Sequence, residues 1–316
     1  MSTSCHVIFG AGQVGSHLAR MLLDRGHDVR VAKRSPAGIP EGAKAVLGDA
    51  ADPAFCTAAA KGAATVYHCL NPPYSTKVWA ELVPRYMANL IEASARASAR
   101  LVVLDNVYML GKPNGKPLGN ESPMNPSSRK GEIRAKAADQ LFDAHRRGDV
   151  RATAGRASDF YGPGGTLTLL GDYFWPRVLT GRSAQMVADP DAIHTYHYIP
   201  DVAAGLAILG TAPDDVFGRP WMLPCRPPES LRDLVRRLET PLGSPIGLTT
   251  VPGWLFGVLG MFMPPLGELR EMRYQWQEPF VIDDTAFRER FTVWPEEADR
   301  AAVATVAWAR THYARR

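Results

Sequence analysis

Residues 5–25 read CHVIFGAGQVGSHLARMLLDR. An apolar strand, predicted over residues 6–9, runs directly into Gly10-Ala11-Gly12-Gln13-Val14-Gly15, and a helix is predicted over residues 13–25. A strand, a GxGxxG turn and a helix in this order are typical of the first βαβ unit of a doubly wound α/β fold. The stretch therefore predicts a Rossmann domain at the start of the chain.

The rest of the first half continues the alternation of β-branched runs with alanine-rich helical segments, which indicates a parallel sheet. Beyond Gly162 the pattern breaks into pieces separated by glycine and proline. We predict a doubly wound parallel sheet over residues 1–160, with later segments returning to it, and a smaller C-terminal α/β substrate lobe over residues 161–316. Further strands are predicted at 29–32, 45–47, 65–69, 101–104 and 151–155, and further helices at 54–60, 77–99, 130–147, 201–209, 231–239 and 296–310.

Composition restricts the class of protein. The chain has 316 residues, of which 46% are hydrophobic and 22% charged, and 36 Lys and Arg against 32 Asp and Glu give a net charge of +4. These values exclude an intrinsically disordered polyelectrolyte. Basic residues cluster only as pairs, such as Arg146-Arg147 and Arg236-Arg237, so no nucleic-acid partner is expected.

Each glycine of the first turn has a mechanical role in a dinucleotide loop. Gly10 permits the tight turn, Gly12 lets the backbone approach a pyrophosphate, and Gly15 lets the helix pack closely on the strand. Gln13 and Val14 lie in the same turn, where the helix N-terminus supplies amide donors. We therefore expect residues 10–15 to bind the pyrophosphate of a nicotinamide dinucleotide.

The end of the second predicted strand distinguishes NAD from NADP. An NAD site carries an acidic residue about 20 residues beyond the glycines, where a carboxylate binds the ribose hydroxyls. Here the position reads Lys33-Arg34-Ser35, and Asp28 lies at the opposite end of the strand. Two cations and a hydroxyl suit a dianionic 2′-phosphate, so NADP is expected, with NAD as the alternative.

Several further segments, in order along the chain, carry a family resemblance. They are Gly48-Asp49, the run VYHCLN at 66–71, Asn89, the run GRASDFYGPG at 155–164, and the run HYIPDVA at 197–203. Together with the glycine loop they resemble the extended short-chain dehydrogenase/reductase superfamily, in particular its NAD(P)-dependent epimerase/dehydratase group. The resemblance covers most of the chain and implies a Rossmann fold with a nicotinamide cofactor.

The resemblance also implies further cofactor contacts. Asp49 corresponds to the adenine-contacting Asp of the family, and the end of the fourth strand lines the cofactor. On this basis the expected cofactor-binding residues beyond the glycine loop and the 2′-phosphate site are Asp49, Ala50, Leu70, Asn71, Pro72, Lys130 and Ser158.

The sequence departs from the family at the catalytic positions. The family uses a Ser or Thr together with Tyr-x-x-x-Lys on one helix face, and the predicted helix that should carry this pair, at 130–147, lacks it. Lys130 and Arg134 occupy the Tyr and Lys positions if Gly131 is the anchor, whereas a shift of two residues gives Glu132 and Lys136.

The substitutions change which groups can move a proton. Residues i and i+4 share a helix face, so Lys130 and Arg134 can both point at the ribose and the substrate. Arg134 stays charged and can only hold a group, whereas a desolvated Lys130 could exchange a proton. Asn106 occupies the position of the family's Ser and could orient a carbonyl, and Tyr108 is the leading alternative proton donor.

Other polar side chains remain open alternatives for the substrate cleft, namely Tyr74, Tyr161 and His194. Asp189, Asp191, His194 and His197 lie close in sequence but lack the tight spacing of a metal site, so no metal is expected. The apolar run at 251–263 predicts core packing of the lobe, an apolar substrate wall or an oligomer contact. Together with Trp276 it favours a fairly apolar small-molecule substrate.

We therefore expect an NADP(H)-dependent oxidoreductase that transfers a hydride to or from a small carbonyl compound. One alternative is an epimerase or dehydratase that uses a bound nucleotide for transient redox, and another is a non-catalytic NADP-binding sensor or interaction protein. The family resemblance implies a homodimer through the helices around 77–99 and 130–147.

The cellular setting follows from weaker signals. The four cysteines show no CxxC spacing, which favours reduced thiols and a cytoplasmic location. The apolar run of 13 residues at 251–263 is shorter than the ~20 residues that span a bilayer. No signal peptide or membrane span is therefore expected.

Overall fold

Seven parallel strands form the central sheet of the computed structural model, which describes residues 4–250 and 264–314. The strands of the described chain are β1 (Cys5–Phe9), β2 (Asp28–Lys33), β3 (Lys44–Leu47), β4 (Thr65–His68), β5 (Arg100–Asp105), β6 (Arg151–Arg156), β7 (Phe160–Tyr161), β8 (Ala184–Met186), β9 (Ile193–His194), β10 (His197–Tyr198), β11 (Pro220–Met222), β12 (Glu229–Ser230) and β13 (Leu248–Thr250). The order in the sheet is β11-β6-β5-β4-β1-β2-β3. This order confirms the predicted doubly wound fold, because the chain reverses direction across the sheet between β1 and β4.

The helices connect the strands and extend through the second half of the chain. They are α1 (Gly15–Asp24), α2 (Pro53–Ala60), α3 (Thr76–Arg96), α4 (Arg129–Arg146), α5 (Trp175–Val178), α6 (Ile199–Thr211), α7 (Leu231–Leu242), α8 (Pro264–Leu269), α9 (Thr285–Phe291) and α10 (Ala298–Tyr313). A 3₁₀ segment, Arg270–Trp276, follows α8 directly. The predicted helix at 77–99 ends earlier, at Arg96, because Ser98 adopts a left-handed backbone with φ of 52°.

Alternate residues of the central strands face two separate cores. Val7 and Phe9 of β1 pack with Leu90 of α3, on the face that α2, α3 and α4 cover. Ile8 of the same strand packs with Leu206 of α6, on the face that α1 and α6 cover. The near-continuous apolar strands of the sequence are thus explained by burial on both faces.

The sheet draws on both halves of the chain. β11, from residues 220–222, extends it as an edge strand beside β6. The remaining short strands pair outside this sheet, β7 with β10, β8 with β13 and β9 with β12. They surround a third apolar core, which includes Trp175, Met186 and Val306. The same core includes Met109 and Leu110, which follow β5, and Tyr161 of β7.

Two expectations from the sequence concern a membrane span and the apolar run at 251–263. No helix in residues 4–250 and 264–314 combines the length and the apolarity needed to cross a membrane. The run at 251–263, for which core packing, a substrate wall or an oligomer contact was expected, lies outside the described residues.

Candidate functional site

Two glycines of the loop, Gly15 and Gly12, have different surroundings. A Cβ at Gly15 would lie 2.0 Å from the carbonyl oxygen of Gly10, so helix α1 can pack this closely only with glycine there. A Cβ at Gly12 would meet no atom within 4 Å. Packing inside the protein therefore explains Gly15 and does not explain Gly12. Gly10 itself has φ of +95°, the turn geometry that the sequence predicts.

The N-terminus of α1 has few protein acceptors. Val14, at the N-cap, makes no side-chain capping bond, and the first turn carries no acidic residue. Gln13 is turned to the loop after β7, where its Oε1 accepts a hydrogen bond of 2.8 Å from the amide of Leu167. The amides at the start of α1 and the positive end of its dipole are suited to an anionic ligand.

The end of β2 carries the expected cations. Arg34 and Ser35 are exposed, whereas the Lys33 ammonium turns back to donate a hydrogen bond to the carbonyl oxygen of Ala37. Burial raises the pKa of Tyr86, Asp49 raises it further and Arg34 lowers it, which puts both charges in reach of this phenol. Arg34 and Asp49 thus flank one surface beyond the glycine loop.

Ala50, next to Asp49, is buried and contacts α3. Its carbonyl oxygen accepts a hydrogen bond of 2.8 Å from Nδ2 of Asn89, which is buried in α3. Asp49 accepts a hydrogen bond from the amide of Ala51 at 2.9 Å and keeps an exposed side chain. The Asn in the long helix, one of the residues behind the family resemblance, therefore positions the loop that carries Asp49.

Beyond β4, the segment at 70–72 lies against α3 and α4. Asn71 Oδ1 accepts a hydrogen bond of 2.9 Å from Nη2 of Arg134, and the Pro72 carbonyl oxygen accepts one of 3.3 Å from the indole of Trp79. The amide of Leu70 donates to Nδ1 of His68 at 3.2 Å. The predicted residues Leu70, Asn71 and Pro72 thus lie in one segment that contacts Trp79 of α3 and Arg134 of α4.

Arg134 lies in a buried charge cluster. Its Nη1 is 3.6 Å from Asp105 Oδ1, and Arg156 Nε is 3.8 Å from Asp105 Oδ2. Burial raises the pKa of Asp105, with the two arginines opposing it, and burial lowers the pKa of Arg134, with Asp105 opposing it. The Nε atoms of Arg134 and Arg156 are buried without an acceptor among the described residues. Two cations and one carboxylate therefore leave buried donors available for oxygen atoms of a ligand.

Lys130 differs from the expectation of a proton donor. Its side chain is 0% exposed, and Nζ lies 2.9 Å from Glu271 Oε1, 3.0 Å from Thr76 Oγ1 and in contact with the carboxylate of Glu268. The ammonium also lies 4.7 Å from the ring centroid of Tyr74. We call these five residues the Lys130 cluster. Two carboxylates compensate the ammonium charge, so Lys130 anchors residues 268–271 to α4 in this arrangement.

The same two carboxylates cap two helices. Glu268 Oε2 accepts a hydrogen bond from the amide of Thr76 at 3.0 Å, at the start of α3. Glu271 accepts from the amides of Arg129, at 2.9 Å, and Lys130, at 3.3 Å, at the start of α4. Burial alone raises the pKa of Glu268, but hydrogen bonds from Lys130 and Thr76 outweigh it and leave that pKa below its usual value.

Asn106 and Tyr108 follow β5 as predicted. The Asn106 Oδ1 accepts a hydrogen bond of 3.0 Å from the amide of Tyr108 and so caps a short turn. The Tyr108 ring stacks on Trp79 with a centroid distance of 6.1 Å, while Arg134 lies 4.6 Å from the same indole. Burial, followed by the negative charge of Asp159, raises the pKa of Tyr108.

Ser158 is buried against residues 195 and 197. Its hydroxyl contacts the carbonyl oxygen of Thr195 and lies 3.0 Å from Nδ1 of His197, and its side chain is buried. Asp191, considered above for a metal, pairs with Arg232 at 2.7 Å. Within residues 4–250 and 264–314, no three His, Cys, Asp or Glu side chains converge as metal ligands.

Three site residues were missed from the sequence. Glu268 and Glu271 are three residues apart and therefore share one side of a helical turn, which is the one local signal for their joint contact with Lys130. Trp79, between Tyr108 and Arg134, reads in sequence as an ordinary buried helix residue. The contacts of these three residues with α4 join segments that lie far apart along the chain.

The chain was compared with known families and structures. A profile of the NAD dependent epimerase/dehydratase family matches residues 7–220. A search of curated proteins found no match.

Solved structures resemble the chain over almost its whole length. The UDP-glucose 4-epimerase of Thermus thermophilus, in complex with NAD, is 19% identical with a TM-score of 0.77, and the match covers 97% of this chain and 99% of that one. The dTDP-glucose 4,6-dehydratase DesIV of Streptomyces venezuelae, with NAD and TYD bound, is 17% identical with a TM-score of 0.78 and 98% coverage of both chains. The Bordetella bronchiseptica enzyme WbmH, in complex with NAD+, is 16% identical with a TM-score of 0.75, and the match covers 98% and 99% of the two chains. At these identities the structural similarity establishes the fold alone.

Proposed function

The chain belongs to the NAD dependent epimerase/dehydratase family, and from that premise we propose that it is an NADP(H)-dependent oxidoreductase acting on a small, fairly apolar carbonyl compound. The glycine loop carries this proposal. Gly12 is a glycine that no protein contact demands, at the N-terminus of a helix without an acidic residue in its first turn. A pyrophosphate that approaches the backbone at this position accounts for both features. Gly10, Gln13, Val14 and Gly15 complete the loop.

The NADP preference is supported by charge at the end of β2. Arg34 is exposed beside Ser35, and a guanidinium binds a phosphate through two parallel hydrogen bonds. Lys33 adds a second positive charge behind it. We assign these three residues to the 2′-phosphate, and Asp49 with Ala50 to the adenine side.

We assign the region around Arg134, Asn71 and Tyr108 to the nicotinamide ribose and the substrate. Bound NADPH would supply the hydride there. Arg134 and Asn71, which share a hydrogen bond, would hold ribose oxygens, and the buried Nε donors of Arg134 and Arg156 fit such acceptors. Tyr108, on the Trp79 ring, would contact the substrate, while Asn106 holds the turn that presents it.

The decisive experiment measures cofactor preference. We expect NADPH to bind wild-type protein at least about tenfold more tightly than NADH, a difference of about 1.4 kcal/mol, and Arg34→Asp to abolish that preference. Arg20→Asp makes the same charge change on the exposed face of α1 and should leave the preference intact. Equal affinity for the two dinucleotides in the wild type would refute the assignment. Consumption of NADPH with a panel of aromatic and aliphatic aldehydes and ketones then tests the reaction.

A second candidate function is epimerisation or dehydration with transient redox of a tightly bound nucleotide. The match over 97–98% of this chain to a UDP-glucose 4-epimerase and a dTDP-glucose 4,6-dehydratase favours it. Such an enzyme would purify with its nucleotide and turn over substrate without net change in nicotinamide absorbance. Net NADPH consumption separates the two reactions.

We also propose a homodimer and a cytoplasmic location. Helices α3 and α4 pack side by side on one face of the sheet and leave an outer face that includes the exposed Glu81, Arg85 and Lys136. The cysteines of the described chain are free thiols, which suits a reducing compartment. Light scattering that gives the mass of a monomer would refute the dimer.

A further inference from the structure

A cavity lies at the edge of the central sheet where the strands begin, and its volume is about 460 Å³. Its lining includes His6 near the start of β1, Thr65 at the start of β4, Arg100 at the start of β5 and Arg151 at the start of β6. The strands are parallel, so the glycine loop, which follows the end of β1, lies at the opposite edge of the sheet. The cavity is therefore separate from the candidate dinucleotide site.

The charged groups in the wall of this cavity are positive. Arg100 and Arg151 contribute their side chains, and no Asp or Glu of the described residues lines the cavity. Asp214 lies beside it, where Oδ1 accepts a hydrogen bond of 3.1 Å from Arg100 and Oδ2 accepts one of 3.0 Å from Arg151. Each guanidinium has five N–H donors. Because two guanidinium charges share one carboxylate, one positive charge among these three residues has no counter-charge within the group.

The pairing with Asp214 is open to competition from a ligand. The exposed fractions of the Arg100, Arg151 and Asp214 side chains are 26%, 49% and 58%. Ion pairs exposed to this degree add little to stability, because solvent screens their charges. The Phe217 ring, whose centroid is 5.5 Å from Cζ of Arg100, supports that guanidinium in place. An anion in the cavity can therefore replace Asp214 at low cost while Arg100 keeps its position.

The inner wall of the cavity is polar and uncharged. His6 is 1% exposed, and its ring nitrogens lie 2.8 Å from Ser4 Oγ and 3.1 Å from the Tyr67 hydroxyl. Burial lowers the pKa of His6 to about 4, so the ring carries no charge near neutral pH. The Thr65 hydroxyl donates to the carbonyl oxygen of Gly210 at 2.9 Å and still has lone pairs that accept. Such a wall suits the hydroxyl groups of a polar ligand.

We propose that this cavity binds a phosphate group, carried by a small hydroxylated molecule or present as the free ion, with Arg100 and Arg151 as its charged ligands. A guanidinium binds a phosphate through two parallel hydrogen bonds. A phosphate dianion matches both guanidinium charges, whereas a single carboxylate would only repeat the charge of Asp214.

The size of the cavity favours an organic phosphate over the free ion. Cavities that bind small molecules measure about 300–1,000 Å³, and this one, at about 460 Å³, has room beyond a phosphate group for an attached polar body. The site is independent of the proposed function, because no residue of the glycine loop or of the region around Arg134 takes part.

Magnetic resonance locates the bound phosphate. Isotopically labelled full-length protein is titrated with inorganic phosphate and, in parallel, with glucose 6-phosphate. We expect saturable shifts of the amide signals of residues 64–65, 98–100 and 210–211, while the amides of residues 12–15 report separately on binding at the glycine loop. Tighter binding of the ester identifies an organic phosphate and equal affinity identifies the free ion, and both results support the site. No saturable shift at the cavity amides with either compound would overturn the proposal.

Substitutions in the three charged residues should act with opposite signs. Arg100→Gln and Arg151→Gln should each weaken phosphate binding at least about tenfold. Asp214→Asn removes the competing carboxylate and should tighten binding about threefold. A purely structural role predicts the same direction for all three, because each substitution breaks the same ion pairs.

The control is Arg147→Gln, which removes an exposed arginine that pairs with Asp149 at 2.7 Å and should leave phosphate affinity unchanged. Unchanged affinity in both cavity arginine variants, or weaker binding in Asp214→Asn, would refute the proposal. If an arginine variant fails to fold, the sign of the Asp214→Asn effect decides, because that variant keeps both guanidinium groups.

Discussion

The helices around the candidate site differ in whether protein side chains accept hydrogen bonds from their first amides. At α1 the N-cap makes no side-chain hydrogen bond, the first turn has no acidic residue, and Gly12 opens the backbone. At α3 and α4 the first amides donate to Glu268 and Glu271. The unpaired amides of a helix start require acceptors in both cases. The difference indicates that α1 is left for an anionic ligand, whereas α3 and α4 are closed by the protein itself.

The two sides also differ in the range of their contacts. The glycine loop depends on the close approach of Gly10 and Gly15, which are near neighbours in the chain. In the Lys130 cluster, Lys130 contacts residues that lie 54 to 141 positions away along the chain. We therefore expect some substitutions in the glycine loop to change the free energy of unfolding and others to change NADPH binding. A substitution in the Lys130 cluster should lower the free energy of unfolding because it leaves buried charges without their partners.

The largest effect is expected at Gly15. Gly15→Ala places a Cβ 2.0 Å from a backbone oxygen and should lower the free energy of unfolding by about 4 kcal/mol. Gly12→Ala, the matched control in the same loop, should unfold within about 0.5 kcal/mol of wild type and weaken NADPH binding at least about tenfold. Denaturant unfolding and fluorescence titration measure the two effects. Unaltered NADPH binding in Gly12→Ala would contradict the comparison.

The next largest effect is expected at Lys130. Lys130→Met leaves two carboxylates without their shared cation and should lower the free energy of unfolding by about 3 kcal/mol. Lys136→Met is the matched control, because Lys136 is exposed on the same helix, and it should change that free energy by less than about 0.5 kcal/mol. Adding Glu268→Gln to Lys130→Met should recover part of the loss in a double-mutant cycle. Full additivity of the two substitutions would argue against the ion pair.

The smallest effect per residue on the free energy of unfolding is expected from protonation of buried histidines at low pH. Burial lowers the pKa of His6 to about 4, of His68 to about 3 and of His197 to about 4. Because these values lie below the unfolded value of about 6.5, the unfolded chain binds more protons and stability falls as the pH drops below that value. At about pH 5 each histidine should cost about 2 kcal/mol. Urea unfolding at about pH 7.5 and about pH 5 measures the sum, and His68→Gln should reduce the slope.

Local patterns predicted most of the fold. The strands and helices of the first half follow from alternation of apolar runs with alanine-rich segments, and the observed α4, at Arg129–Arg146, lies close to its predicted bounds of 130–147. The glycine loop was predictable for the same reason, because strand, turn and helix are contiguous in the chain.

Charge partners across the chain were not predictable. Nothing beside Lys130 in the sequence shows that Glu268 and Glu271 will enclose it, so an expected proton donor became an anchor. Similarly, Asp159 and His194 are separated along the chain by β7, α5 and β8, and only the folded chain brings them to 3.2 Å. These charge contacts are thus decided by tertiary packing.

The position of β11 in the central sheet limits where the chain can be truncated or joined to a relative. A truncation after residue 160 would remove both the edge strand at 220–222 and helix α6, which covers Ile8, Tyr67 and Val102 on one face of the sheet. Such a fragment would expose apolar surface and aggregate. The second half of the chain therefore cannot be exchanged between relatives as a unit at residue 160, and a chimera needs a junction beyond Met222.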